Sequence, residues 1–240
     1  MASTQSILAA SIVLVIVLAS IPGTIINDIS GGQRLYGLDT GADSTGFEDV
    51  SIPGGPTGHV NIRIIRPIES TGALPVIMYY HGGGWIGGDK NTHDRLIRRL
   101  ANKANAAVVF VEYSLSPGVK YPVPIEEAYH VLEYIANNGK QFNLDSSRLA
   151  VAGDSAGGNI AAVMAILAKQ RNGPKIVYQV LFYPVTDANF DTPSYHRYAS
   201  GYQLDKETME WIWDNYLPDK GARKEPTASP LQAPPDMLKG

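Results

Sequence analysis

Two hydrophobic periods alternate along this chain of 240 residues. Residues 59–66 alternate, with Val60, Ile62 and Ile64 set against Asn61 and Arg63, which is the period of a half-buried strand. Leu74–Tyr80 and residues 106–113 are almost continuously apolar, the pattern of strands covered on both faces. Shorter apolar runs at 149–152 and 176–182 predict two more strands. Helical patterns lie between them. Residues 92–104 place Leu96, Leu100 and Ala101 on one side, with His93 and the arginines on the wet side. Pro122 and Pro124 open a second helix, bearing Ile125, Ala128, Val131, Leu132 and Ile135, that stops near Gly139. His130 lies on it as a boundary residue. Ile160, Met164, Ile166 and Leu167 mark a third helix. Strands alternating with helices predict an α/β fold with a doubly wound, mostly parallel sheet. Ligands of such sheets sit beyond the carboxyl ends of the strands.

The N-terminal part follows neither period. Residues 7–26 carry no charge, and the densest part, 7–21, lacks a polar face. A secretory leader fits, with Val17 and Ala19 suiting a cleavage site. A short membrane anchor fits too, although Pro22 and Gly23 cut it near the lower length limit. Residues 1–6 hold no Lys or Arg, which leaves a buried N-terminal helix as the third reading. A secreted or membrane-anchored location is favoured over a cytoplasmic one. Residues 27–58 are rich in Gly, Ser, Asp and Thr and read as irregular. The organisation expected is thus a leader at 1–26, a connector at 27–46 and one domain at 47–240.

Composition narrows the chemistry. A net charge of −3 without a basic stripe gives no reason to expect nucleic acid. The absence of cysteine excludes a thiol nucleophile and thiolate metal ligands, and the five histidines lack metal-ligand spacing. No metal and no cofactor are expected.

Chemistry concentrates at three strand ends. The run 149–152 leads into Gly153-Asp154-Ser155-Ala156-Gly157 and then a helix. Strand, Gly-x-Ser-x-Gly, helix is the layout of a nucleophile elbow, which lifts a serine hydroxyl to the top of a sheet. Chance alone would supply about 0.16 such strings in a chain of this composition, so placement carries the argument. Leu74–Tyr80 leads into His81-Gly82-Gly83-Gly84-Trp85, a string expected by chance about 0.005 times. Glycines there let backbone N–H groups approach a substrate oxygen. Gly83, Gly84 and Ala156 are the expected oxyanion donors beside the nucleophile Ser155. Asp187 follows the strand at 176–182.

These motifs, with Tyr113-Ser114-Leu115-Ser116-Pro117, Tyr183-Pro184-Val185-Thr186-Asp187 and Ala228-Ser229-Pro230-Leu231, resemble the hormone-sensitive-lipase-like branch of the α/β-hydrolases. The resemblance spans about residues 47 to 240. It implies a cofactor-free carboxylesterase acting on small-molecule esters of short to medium acyl chain, with Trp85, Asp154 and Tyr183 near the substrate. It implies that His81 shapes the oxyanion loop and is not the base, and that about 190–218 form a small helical cap. Ser114 and Gly118 stand where the family usually has Arg and Glu, which predicts a less firmly tied loop. The family places its catalytic acid and histidine after further strands, whereas this chain stops at Leu238-Lys239-Gly240. Truncation is therefore expected, with the last strands missing, strand 176–182 left as a sheet edge, and no triad acid or histidine in this chain. His196 is the only histidine after Ser155, with Asp187 or Asp191 before it, and Asp187, well placed at a strand end, makes Asp187–His196 the substitute pair to weigh. A non-catalytic ligand-binding pseudo-hydrolase, as in the plant gibberellin receptors that resemble the family, is the alternative; an amidase or peptidase shares the same features.

Overall fold

The computed structural model describes residues 45–239. Six strands form one sheet in the order β1-β2-β4-β3-β5-β6. They are β1 (Thr45–Pro53), β2 (His59–Pro67), β3 (Leu74–Tyr80), β4 (Ala107–Glu112), β5 (Leu144–Asp154) and β6 (Tyr178–Phe182). β1 and β2 run antiparallel, as do β2 and β4, whereas β4, β3, β5 and β6 are mutually parallel. The mostly parallel α/β sheet expected from the alternation is present, with β6 at the edge of the described sheet.

Alternation along the strands builds two cores. Val76, Met78 and Tyr80 of β3 and Ala107, Val109 and Val111 of β4 face one side, where α2 (Val123–Asn138) and α3 (Ala156–Gln170) cover them. Tyr79, Val108 and Phe110 face the other, under Ile97 and Ala101 of α1 (Asp94–Ala104). Side chains of successive strand residues point to opposite faces, so these runs must be apolar throughout.

The structure corrects three expectations. Residues 45–53, taken as irregular, form β1. The strand was hidden because most of its residues are exposed and Ile52 is its one fully buried large side chain. The inward face of α1 is set by Ile97 and Ala101, whereas Leu96 is 40% exposed. His93, four residues before Ile97, is thereby turned inward and away from the wet side. Finally, the loop after β4 is firmly held despite Ser114. Glu127 of α2 is fully buried and accepts the Ser114 N–H at 2.6 Å, the Ser114 hydroxyl at 2.8 Å and the Thr57 hydroxyl. Ser116 N–H also donates to the Trp85 carbonyl at 2.8 Å.

Beyond β6, α4 (Pro193–Arg197) and α5 (Lys206–Tyr216) occupy the segment expected as a cap, and α6 (Pro235–Leu238) follows. α5 buries Met209, Trp213 and Tyr216 against the domain, while Trp211 is 56% exposed. Among the described residues no helix is long and apolar enough to cross a membrane. The leader expected at 7–26 lies outside the described residues.

Glu127→Ala strands three donors, one of them a backbone N–H. Urea unfolding is expected to show a loss of about 1–3 kcal/mol, with the loop 113–117 exchanging amide hydrogens faster.

Candidate active site

Ser155 stands between β5 and α3 with φ 52° and ψ −117°, a conformation that costs a non-glycine residue about 1–3 kcal/mol. The surrounding backbone holds it there. Ser155 N–H donates to the Phe182 carbonyl at 2.9 Å, and its carbonyl accepts from Asn159 at 3.0 Å and Val185 at 3.1 Å. The two motif glycines make the turn possible by close approach. A Cβ on Gly157 would overlap the carbonyls of Tyr80 and His81, and one on Gly153 would overlap those of Gly157 and Tyr80. The serine is half-buried at the N-terminus of α3, where free N–H groups favour negative charge.

The loop after β3 brings the other expected donors. Gly83 and Gly84 have φ of 115° and 63°, values that suit glycine. The Gly83 carbonyl accepts from Ile86 at 3.1 Å and Gly87 at 3.0 Å, which folds the loop into a tight turn. A Cβ on Gly83 would overlap the Gly87 carbonyl. Among the described residues the N–H groups of Gly83, Gly84 and Ala156 take no backbone acceptor in this loop.

Asp154 ties the two strand ends together. Its Oδ1 accepts from Tyr79 Oη at 2.8 Å and from Gly82 N–H at 3.0 Å, and lies 3.3 Å from His93 Nε2. Burial works to raise this carboxyl, but the bonds from His93 and Tyr79, the His93 charge and the Gly82 N–H outweigh it and hold it below 3.8. His93 moves the other way. Burial works to lower it, and the Asp154 hydrogen bond and charge raise it above 6.5. Sequence reasoning missed His93; its position four residues before Ile97 and eight before Ala101, on one helix face, was the available signal.

His81 is 1% exposed and stacks on Tyr113 at 4.2 Å. Its Nδ1 lies 2.8 Å from the Gly82 carbonyl, and Tyr113 Oη donates to the His81 carbonyl at 2.6 Å. Burial lowers it to about 4. His81 thus ties its own loop. Asn159 of the serine motif is also fully buried, and its Nδ2 donates to the carbonyls of Val185 at 2.7 Å and Ala228 at 2.8 Å.

The remaining candidates are dispersed. Trp85 is completely buried, stacked on Tyr216 at 4.1 Å and edge-on to Trp213 at 5.1 Å, so it seats α5 against the glycine loop. Tyr183 is 72% exposed. The substitute pair does not form. His196 Nε2 bonds Asp191 Oδ1 at 2.7 Å on the surface, while Asp187 accepts from Gln232 at 2.9 Å and from the Ala188 N–H.

A family model described as the alpha/beta hydrolase fold matches residues 77–240. The chain belongs to the α/β-hydrolase family. Within it, the relatives place the chain in the hormone-sensitive-lipase-like branch. An esterase of Gibberella moniliformis is 42% identical over 183 residues, covering 76% of this chain and 57% of that protein. The carboxylesterase NlhH of Mycobacterium tuberculosis is 42% identical over 159 residues, 66% of this chain and 50% of its own. The crystal structure of a thermostable esterase from Pseudomonas putida superposes with a TM-score of 0.80 at 43% identity, covering 83% of this chain and 62% of that one. This hydrolase chain thus spans about half the length of the curated relatives it matches.

His81, buried, and His93, half-buried, respond oppositely to pH. His81, lowered to about 4 from 6.5, contributes stability that is complete above pH 6.5 and lost as pH falls through 4. His93, raised above 6.5, contributes fully below that pH and loses its contribution as pH rises through its folded value. Asp154, held below 3.8, contributes fully above 3.8 and loses it as pH falls through its folded value. In an NMR titration the His81 ring is expected to change near pH 4 and the His93 ring above 6.5. Both rings titrating together near 6.5 would contradict this site.

Proposed function

We propose that the protein is a serine carboxylesterase for small esters of short to medium acyl chain. Ser155 attacks the ester carbonyl, the N–H groups of Gly83, Gly84 and Ala156 receive the oxyanion, and the acyl-enzyme is then hydrolysed by water. The observation that carries the reading is the conformation of Ser155 at the head of α3, with the glycine loop of β3 tied to the preceding residue through Asp154. Relatives named as an esterase and a carboxylesterase support the reaction class. They lend nothing to the alternative of a non-catalytic binding protein.

No triad base is assigned to this chain. His81 and His93 are engaged in holding the glycine loop and Asp154, His130 bonds the Pro53 carbonyl at 2.8 Å, and His196 bonds Asp191. His59 opens β2 and is exposed. The segment around α4 and α5 is read as a cap over the acyl site, seated on Trp85 through Trp213 and Tyr216.

Assay of the chain with p-nitrophenyl butyrate tests the reading. Turnover is expected to be weak, of the order of the 10³–10⁴-fold over water that oxyanion stabilisation and binding sustain without a full triad. Because that residual does not run through the serine, labelling tests it: a fluorophosphonate is expected to label Ser155, and Ser155→Ala is expected to abolish the label. His196→Ala is expected to leave the rate unchanged. Labelling that persists in Ser155→Ala would remove the serine from the mechanism. Gly83→Ala, whose Cβ meets the Gly87 carbonyl, is expected to lower the rate by about 10²–10³-fold by displacing a donor.

A further inference from the structure

Asp154 directly precedes the proposed nucleophile, and Gly82 directly precedes the proposed donors Gly83 and Gly84. One carboxylate oxygen joins them. Asp154 Oδ1 accepts the Gly82 N–H at 3.0 Å, the Tyr79 hydroxyl at 2.8 Å and faces His93 Nε2 at 3.3 Å. Tyr79 comes from β3, next to the glycine loop it would have to restrain. His93 alone comes from outside the β3–β5 pair, from the turn that opens α1.

We propose that His93 is a positioning residue of this site: by donating to Asp154 it orients the carboxylate that holds Gly82, and so sets the place of the oxyanion donors relative to Ser155. The inference rests on the esterase reading for its catalytic consequence, and on geometry alone for its positional one.

The surroundings of His93 support such a role. Its ring lies among Tyr79, Phe110 and His81, at centroid distances of 6.2, 5.9 and 5.6 Å. Its Nδ1 lies 3.3 Å from the Asp89 carbonyl and 3.0 Å from the Thr92 hydroxyl, so both ring nitrogens meet an oxygen. With the ring oriented at one nitrogen and the carboxylate at the other, the pair has little freedom to rotate. The charged and titratable groups facing this pair are Asp89 from the turn, His81 from the glycine loop, and Tyr79, Tyr113 and Tyr183 around the carboxylate. Tyr79, Tyr113 and Tyr183 are all raised and remain neutral. Gly82 packs closely on this carboxylate, since a Cβ there would overlap Asp154 Oδ2. A donor fixed by a remote helix start would therefore be felt at the loop, and a misplacement of about 1 Å in such a site costs up to about a hundredfold in rate.

The test uses the chain with His93→Phe, which keeps a ring in the aromatic cluster and removes both nitrogens, and with His93→Gln, which restores one donor. His93→Leu replaces the first variant if the phenyl ring prevents folding. Hydrogen exchange at the Gly82 amide is expected to be about tenfold faster in His93→Phe and within about threefold of wild type in His93→Gln. Where Ser155-dependent turnover of p-nitrophenyl butyrate is measured, kcat is expected to fall about tenfold in His93→Phe with KM unchanged, and to recover in His93→Gln. Unchanged Gly82 exchange in His93→Phe would overturn the proposal, and so would equal losses in both variants or a change confined to KM. If a fluorophosphonate does not label Ser155 in wild type, the esterase reading falls, and the Gly82 exchange still decides whether His93 positions the loop.

Discussion

The close approach of α3 to the ends of β3 and β5 is the constraint on which the rest of the site depends. The helix meets the sheet so tightly at Gly157 that the Tyr80 and His81 carbonyls occupy the space a side chain would need. This contact forces the chain through a single residue between β5 and α3, and that residue is Ser155 in its strained conformation. The strain is sustained because three hydrogen bonds over-determine it, one of them to β6. The same contact puts the glycine loop after β3 beside the first turn of α3. The proposed nucleophile and the proposed oxyanion donors are thus neighbours because a helix and two strands share very little space.

Buried polar side chains then fasten the loops that this packing brings near. Asp154 joins the ends of β3 and β5 to the start of α1, Glu127 holds the loop after β4 against α2, and Asn159 binds the carbonyls of Val185 and Ala228 to α3. Each acts between segments far apart in sequence. Each also sits where an unpaired polar group would be costly, so the partners specify one arrangement of the loops. Apolar packing alone would hold the helices against the sheet without setting the loops to within an ångström. The aromatic stack of Trp85, Trp213 and Tyr216 extends the same rigidity to α5.

Much of this was legible in the order of the residues. β3 was read to its ends, and β2, β4, β6 and the three main helices to within a few residues, because strands buried on both faces are apolar throughout and the helices carry stripes. The serine and glycine motifs were legible for a different reason. Close approach and positive φ admit almost only glycine, so backbone geometry is written directly into residue type. β1 was not legible, because a largely exposed edge strand has little apolar pattern to show. His93 was misplaced because the helix stripe was drawn through Leu96 instead of Ile97. Glu127 lay in plain view, a carboxylate between Pro124 and Val131 within the apolar face of α2, and it had no visible partner until the loop was folded against it.

The sequence by itself determined the α/β alternation, the turn at Ser155 and the glycine loop that can carry oxyanion donors, since each follows from local rules of period, φ and steric size. The tertiary structure decided which polar groups meet. Asp154 could have been a substrate contact, and His196 could have paired with Asp187, as far as the order of residues goes. Packing instead directed the Asp154 oxygen to Gly82, Tyr79 and His93, and left His196 with Asp191 on the surface. The physical reason is one of range. Hydrogen bonds reach about 3 Å, whereas the residues that make them here come from separate elements whose approach is set by the packing of the whole domain.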